Sequence, residues 1–421
     1  MKTLINIIIG IFLMASIAEG QGPQWRVYTP HNSELPGLPV SSLAWDQKNN
    51  CIWMCAEGSI AKFNWSNWSI YDTTNSPLPY TTYKTIALDK NNNKWFGSIT
   101  AGVFYYNDTT WNHYDTSNSP LPSQWIWEIY IDEYNTKWIG TGFRGLVKFN
   151  DSTWTIYNEE NSGIPGRRIR ALNSEGYTKW IGTELKGLGK FNDTSWVTFN
   201  TTNSGLSYND VTDIDIDSKG NKWISMFGGG LNRFNTVDSI WTPYLSQGFI
   251  NCLVIDEARN IKWIGSPGGG LYKFYNDSIL TNYRPENSPM PSYTVNDLSL
   301  DSSGNLWIAT NGGLAVFNET GIVGVNDPAI INVPISAKLF QNYPNPFNPS
   351  TKIKYELVKN SNVKLSIIDL TGRVIQILVN ENQKIGEYEI SFEGRQLPSG
   401  AYLYKLETDD FNESRVMVLI K

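Results

Sequence analysis

The sequence predicts an all-β protein in two bodies, a ring of repeated sheets followed by a smaller sandwich, and three observations carry this. Aromatic residues make up 13% of the 421 residues, with 17 Trp and 35 Gly against 18% charged residues. That composition favours strands and tight turns over helices. A Lys-Trp-Ile-Gly-type segment recurs at Trp53, Trp95, Trp138, Trp180, Trp223, Trp263 and Trp307, spaced by 42, 43, 42, 43, 40 and 44 residues. Past Asn318 the recurrence stops, and short alternating segments separated by turn signals take over.

Residues 1–20 open with Lys2, run apolar from Leu4 to Ile17 with one polar interruption at Asn6, and carry small residues at Ala15, Ser16 and Ala18. This is the pattern of a secretory signal peptide cut after Ala18 or Gly20, so an exported mature chain beginning near Gln21 is expected. The apolar run is shorter than the roughly 20 residues a membrane span requires, and no later stretch is longer, so no transmembrane segment is expected.

Residues 21–318 hold the repeat. Each unit reads as four strands: an inner strand with spaced apolar residues, such as Val211, Ile214 and Ile216, then the Lys-Trp strand, a Gly-Leu-x-Lys-Phe-Asn strand and a Trp-x-x-Tyr strand. The last recurs at Trp25, Trp68, Trp111, Trp154, Trp196 and Trp241, with a degenerate copy at Leu280 and Tyr283. The two Trp positions take thirteen of the 17 tryptophans, so the aromatic excess is architectural. A four-stranded unit of this length cannot cover both its faces alone, whereas seven packed radially cover one another; the fold expected is a seven-bladed β-propeller. The first complete feature is Trp25–Tyr28 and the last is Gly313–Asn318, so blade seven lacks its own outer strand and the N-terminal strand supplies it. Gly321–Val325 is the competing candidate.

The repeat resembles the two-component-regulator propeller repeat, on N-x-K-W-I-G-T, G-G-L-x-K-F-N, W-x-x-Y and N-S-x-L-P, the last at Asn75–Pro79, Asn118–Pro122 and Asn287–Pro291. The resemblance covers residues 25–318. With no membrane helix or kinase after the propeller, a signalling role is not expected.

Residues 319–338, with Pro328 and Pro334 and little charge, read as a linker. In 339–421, Pro344, Pro346 and Pro349 fix an extended segment leading into a strand near Lys352. Further strands are expected at 363–369, 374–378, 387–392, 401–407 and 415–420, a small immunoglobulin-like β-sandwich. Tyr343–Phe347, Asp369, Gly372, Arg373, Gly386, Leu397, Ser399, Gly400, Tyr402, Tyr404 and the Val416–Lys421 tail resemble the type A sorting domain of the Bacteroidetes type IX secretion system. The resemblance implies recognition by that machinery and delivery to the outer-membrane surface or beyond.

Net charge of −6 excludes a broad nucleic-acid footprint. Two histidines, His31 and His113, argue against most metal sites and a Ser-His-Asp centre, and no cofactor is expected. Cys51 and Cys55 share a strand at a separation no disulfide spans, and with Cys252 are read as free, buried thiols. The Asp that ends the inner strands, at Asp46, Asp89, Asp132, Asp217, Asp256 and Asp301, is read as turn-forming. Asp213, Asp215, Asp217 and Gly220 resemble a calcium loop only in passing, because alternation is expected to throw the side chains to opposite faces and the terminal Glu is missing. Nine N-x-S/T sequons, among them Asn107, Asn150 and Asn192, coincide with hairpin turns, and turn chemistry accounts for them.

Two polar positions follow the first apolar residue of each inner strand and vary around the ring: Ser41/Ser42, Lys84/Thr85, Trp127/Glu128, Arg170/Ala171, Thr212/Asp213, Asn251/Cys252 and Asn296/Asp297. Inner strands border a propeller's channel, so Lys84, Trp127, Glu128, Arg170, Asp213, Asn296 and Asp297 are the candidate binding residues, with Trp125, Tyr208, Tyr293 and Phe143 nearby for stacking on a sugar. The reading is a secreted or surface-anchored propeller that binds a glycan or peptide without catalysis. A polysaccharide lyase or hydrolase using Glu128 or Asp213 with Lys84 or Arg170 is the first alternative, and a structural surface interaction protein the second.

Overall fold

A computed structural model describes residues 24–245, 248–276, 278–323, 337–357, 361–384, 386–409 and 411–421. The expected signal peptide lies outside these residues. Seven four-stranded antiparallel sheets follow one another along the chain. Their inner strands are Val40–Asp46, Tyr83–Leu88, Ile126–Ile131, Ile169–Glu175, Val211–Ile216, Cys252–Asp256 and Val295–Leu300, here blades I to VII. Each inner strand lies against those of its two neighbours, and Val295–Leu300 against Val40–Asp46 closes the ring. Blade VII takes its outer strand from the N-terminus: Trp25–Tyr28 pairs with Gly313–Phe317, Trp25 opposite Phe317. Residues 321–323 form no strand.

The packing explains each letter of the repeat. The tryptophan is buried between blades, and the lysine before it reaches back over the tryptophan of the preceding blade. Lys94 stands 5.0 Å from the Trp53 ring centre, Lys137 5.1 Å from Trp95, Lys179 5.4 Å from Trp138 and Lys222 5.3 Å from Trp180. Such cation–π contacts gain strength where water is excluded. The ammonium ends are satisfied as well, Lys94 Nζ lying 2.5 Å from Asp108 and Lys137 Nζ 2.5 Å from Asp151.

The Asp at the inner-strand end does form the turn: Asp89 Oδ1 accepts the amides of Asn91 and Asn93 at 2.9 and 2.8 Å. In five of the six blades that have it, this Asp also accepts the indole N–H of its own blade's tryptophan, at 2.8 Å for Asp132 and Trp138 and 3.0 Å for Asp301 and Trp307, whereas Asp256 takes Arg259 and the Trp263 indole N–H is buried without a partner. Blade IV carries no Asp there, and the Trp180 indole N–H is buried without a partner.

Two glycines of the repeat are dictated by close approach. A Cβ at Gly140 or Gly182 would fall 2.8 Å or less from Ile169 or Val211, the first inner-strand residue of the next blade. At Gly145, φ is +87° and a Cβ would sit 2.1 Å from the Tyr157 carbonyl.

Residues 319–323, the start of the expected linker, lie on the propeller: Ile322 is buried in the cluster shared by blades I and VII, and Lys273 pairs with Glu319 at 2.5 Å. Residues 324–336 lie outside the described residues. The C-terminal body has a three-stranded sheet, Lys338–Leu339, Ser350–Leu357 and Gly386–Glu393, and a four-stranded sheet, Val374–Gln383, Ser361–Ile368, Gly400–Glu407 and Asn412–Leu419. One core holding Leu339, Ile353, Tyr355, Leu365, Tyr404 and Met417 joins them as a sandwich. The strand expected to end at Leu378 runs on to Gln383, because pairing with Ser361–Leu365 carries its polar end past the apolar alternation. All three cysteines are buried and free.

Candidate functional site

One irregularity builds the site. In six blades the inner strand bulges between its first and third residues, as at Tyr83/Thr85, Ile126/Glu128 and Val211/Asp213. A bulge leaves one residue outside the ladder and re-aims its side chain. The bulged residues and their neighbours line an axial cavity of about 320 Å³ that holds all seven sequence-predicted residues, Lys84, Trp127, Glu128, Arg170, Asp213, Asn296 and Asp297.

The structure divides these residues by role. In four blades the residue at this position, bulged in three of them and just ahead of the unbulged strand in blade VI, is short and donates to a carbonyl of the next blade: Ser41 to Tyr83 at 2.7 Å, Thr212 to Ile250 at 2.8 Å, Asn251 to Val295 at 2.9 Å and Asn296 to Val40 at 2.8 Å. The residue after it often accepts an amide of the next blade. Ser42 takes Ile86 N–H at 3.3 Å, Thr85 takes Ile129 at 3.2 Å, Asp213 takes Leu253 at 2.8 Å and Asp297 takes Leu43 at 2.7 Å. Asp213, Asn296 and Asp297 therefore lock blades together as well as lining the cavity. Asp215 does the same to Ile255 at 3.0 Å. The two aspartates thus share one face, which corrects the expectation of opposite faces: residues two apart on a strand point the same way.

Blades II, III and IV depart from this ring of latches, placing Lys84, Trp127 and Arg170 side by side. Lys84 Nζ stands 5.9 Å from the Trp127 ring centre and the Arg170 guanidinium 4.9 Å from it. Arg170 also donates to Asp210 at 2.9 Å and lies 3.6 Å from Glu184, which Arg168 pairs as well. Trp125 lies parallel to Trp127 at 5.9 Å and edge-on to Phe143 at 4.8 Å. Tyr208 packs over Gly229 and Tyr293 bonds Glu286, and neither lines the cavity. Phe227 does line it, 4.6 Å from the Phe249 ring. Inner-strand alignment misses Phe227 because it sits on a hairpin; the signal was Met226-Phe227-Gly228-Gly229 where other blades have Gly-Thr-type turns.

Burial governs the titration. It pushes the Asp213 carboxyl up to about 7 and Asp297 to about 6, and, with Asp213 and Asp297 nearby, holds Glu128 well above the carboxylate range. Burial, then Arg170, lowers Lys84. A raised carboxyl retains its proton in the folded state, so its contribution is whole below about pH 4 and is lost as pH rises through 6 to 7. Thermal stability is expected to fall between about pH 4 and 7, on the order of 1 kcal/mol per pH unit for each such group, and to level off above that. Asp213→Asn is expected to flatten that slope; a variant slope equal to the parent's would refute it.

Two family models match the sequence: a secretion system C-terminal sorting domain over residues 341–421 and a two component regulator propeller over 289–312. The chain is a seven-bladed propeller carrying that repeat and ending in a sorting domain, exported by the type IX secretion system to the cell surface or exterior. Among solved structures, PorZ, a surface component of the type IX secretion system of Porphyromonas gingivalis, is 17% identical with a TM-score of 0.57 over 91% of this chain and 59% of its own. The extracellular domain described for a hybrid two component system, BT3049, of B. thetaiotaomicron is 18% identical, TM-score 0.60, over 94% and 57%. The chain thus spans less than two thirds of either. A streptogramin B lyase is 14% identical, TM-score 0.53, over 70% and 97%. These likenesses are of fold. No curated protein matches the sequence. No described helix is long and apolar enough to cross a membrane.

Proposed function

We propose that the propeller is a surface-displayed binding module that takes a glycan or peptide at its axial cavity without turning it over, and that residues 339–421 serve export by engaging the secretion machinery. The observation that carries this is the break in the latch ring. Three adjacent blades spend their bulged positions on Lys84, Trp127 and Arg170, which hold no blade to the next through the carbonyl bonds made by the other four. The cavity's size falls at the lower end of ligand pockets, which run from about 300 to 1,000 Å³. Catalysis through Asp213 is disfavoured by its engagement, since like Asp297 it accepts two backbone amides.

The test is a glycan and peptide array probed with the chain from Gln21, with each hit then incubated with protein and examined for new reducing ends or unsaturated products. Trp127→Ala is expected to leave the melting temperature within about 3 °C, since no repeated core position is lost, and to weaken any hit about tenfold or more. Arg170→Ala is expected to weaken binding and also lower melting, because it strands the buried Asp210 carboxylate. Unchanged affinity in both variants sinks the axial site, and product formation replaces this reading with the lyase or hydrolase.

A further inference from the structure

We infer that the axial site takes an acidic glycan, its carboxylate or sulfate met by Lys84 within the cavity and by the arginines of the adjoining loops; this rests on the axial binding site proposed above. Lys84 is the first ground. The buried lysines Lys94, Lys137 and Lys222 each end on a carboxylate at 2.5 Å, whereas the Lys84 ammonium, facing the cavity, makes no ion pair with any described residue.

Trp127 is the second ground. Cations from the blades on either side of it crowd its ring, Lys84 at 5.9 Å and Arg170 at 4.9 Å. The indole therefore works as a platform that holds two like charges together at the cavity wall. Arg170 is met by Asp210 and Glu184, so the charge left at the cavity wall for an anion is that of Lys84, and a charge-assisted contact there is the stronger for being partly out of water.

The charge of the surrounding loops points the same way. Arg144 on the blade III hairpin, Arg167 and Arg168 on the connector into blade IV, and Lys186 on the blade IV hairpin gather here. The Gly145 N–H bonds the Arg167 carbonyl at 2.8 Å, Arg168 lies 4.6 Å over the Phe143 ring, and Lys186 abuts Gly166. The carboxylates bonded among them are Glu184 and Asp210, so the sector is cationic in a chain whose net charge is −6.

A sugar carrier fits better than an acidic peptide. Asn251 and Asn296 give their Nδ2 to backbone carbonyls and keep Oδ1 to accept hydroxyls, and across the cavity Phe227, 38% exposed, offers an open ring to sugar C–H faces. The groups facing Lys84 are Arg170, Asp297, Glu128 and Cys55, with Asp213 acting on Glu128. As pH falls through 7 to 6 the carboxyls gain protons and stop competing with the ligand's acid group, so binding strengthens.

The test is affinity electrophoresis of the chain from Gln21 in gels holding polygalacturonate, chondroitin sulfate, dextran or polyglutamate. Retardation by polygalacturonate or chondroitin sulfate but not by the other two is expected, stronger at pH 5.5 than at pH 8. Lys84→Gln is expected to weaken it at least tenfold at unchanged melting temperature. Should that variant melt low, the exposed pair Arg144→Gln and Arg167→Gln carries the same test. Equal retardation by polyglutamate, or none by any of the four, overturns the inference. Retardation by dextran alone that Trp127→Ala abolishes overturns the acidic class while leaving the axial site standing. Retardation by an acidic glycan that neither Lys84→Gln nor Trp127→Ala affects overturns both.

Discussion

A chain lacking residues 21–30 is expected to melt more than about 10 °C below one that begins at Gln21. The lost strand, Trp25–Tyr28, closes the ring from the far end of the sequence. Trp25 stacks on Phe317 at 4.2 Å and meets Tyr283 edge-on at 5.5 Å, while Tyr28 packs on Phe63 at 4.9 Å and Trp68 at 5.8 Å, tying blades VI, VII and I together. Aromatic side chains bury about 150 to 250 Å² each, and at about 25 cal/mol per Å² the pair is worth several kcal/mol before any hydrogen bond is counted. At about 2 to 4 °C per kcal/mol for a domain of this size, the shift exceeds 10 °C. The truncation also bares the edge of Gly313–Phe317, whose Leu314, Val316 and Phe317 are all at most 3% exposed. Self-association of the truncated chain in sedimentation is therefore expected too. A truncated chain that melts with its parent would mean that another segment closes blade VII.

Asp132→Ala is expected to cost about 3–5 kcal/mol at pH 7, the range for breaking a buried pair. Asp132 Oδ1 caps the turn amides of Tyr134 and Thr136, each at 2.9 Å, while Oδ2 takes the Trp138 indole at 2.8 Å and faces Lys179 of the next blade at 3.2 Å. Burial alone raises this carboxyl, but the Trp138 and Thr136 bonds and the Lys179 charge outweigh it and hold the group below its ordinary range. A lowered group stabilises above its unfolded value and is lost in acid, so the parent and variant melting curves are expected to converge toward pH 3. Asp132→Asn, which keeps a turn acceptor, is expected to lose less than Ala. A fall in melting temperature under about 3 °C for Asp132→Ala at pH 7 would show that the turn, and not the linkage between blades, is all this residue provides.

The blade count, the phase of the repeat, the N-terminal closure and the C-terminal sandwich were all legible from spacing, because each depends on local periodicity: turn residues, two-residue alternation and a tryptophan about every 42 positions. The cavity lining was legible for the same reason, since an alignment of inner strands places equivalent residues at one height on the axis. What the polar residues do there was decided by tertiary structure alone. Asp213 and Asp297 stand beside Lys84 as candidate binders in the sequence, yet each gives one oxygen to the amide of the next residue and the other to an amide 40 residues or more away. The lysine of the repeat has a role that spacing does not show, lying over the indole of the preceding blade. Phe227 reaches the cavity from a hairpin, outside any inner-strand alignment. A sequence period records which residues share a position within a blade. Partners across a blade boundary are set by the bulge, the twist and the closeness of approach that Gly140 and Gly182 permit, and these are properties of the closed ring.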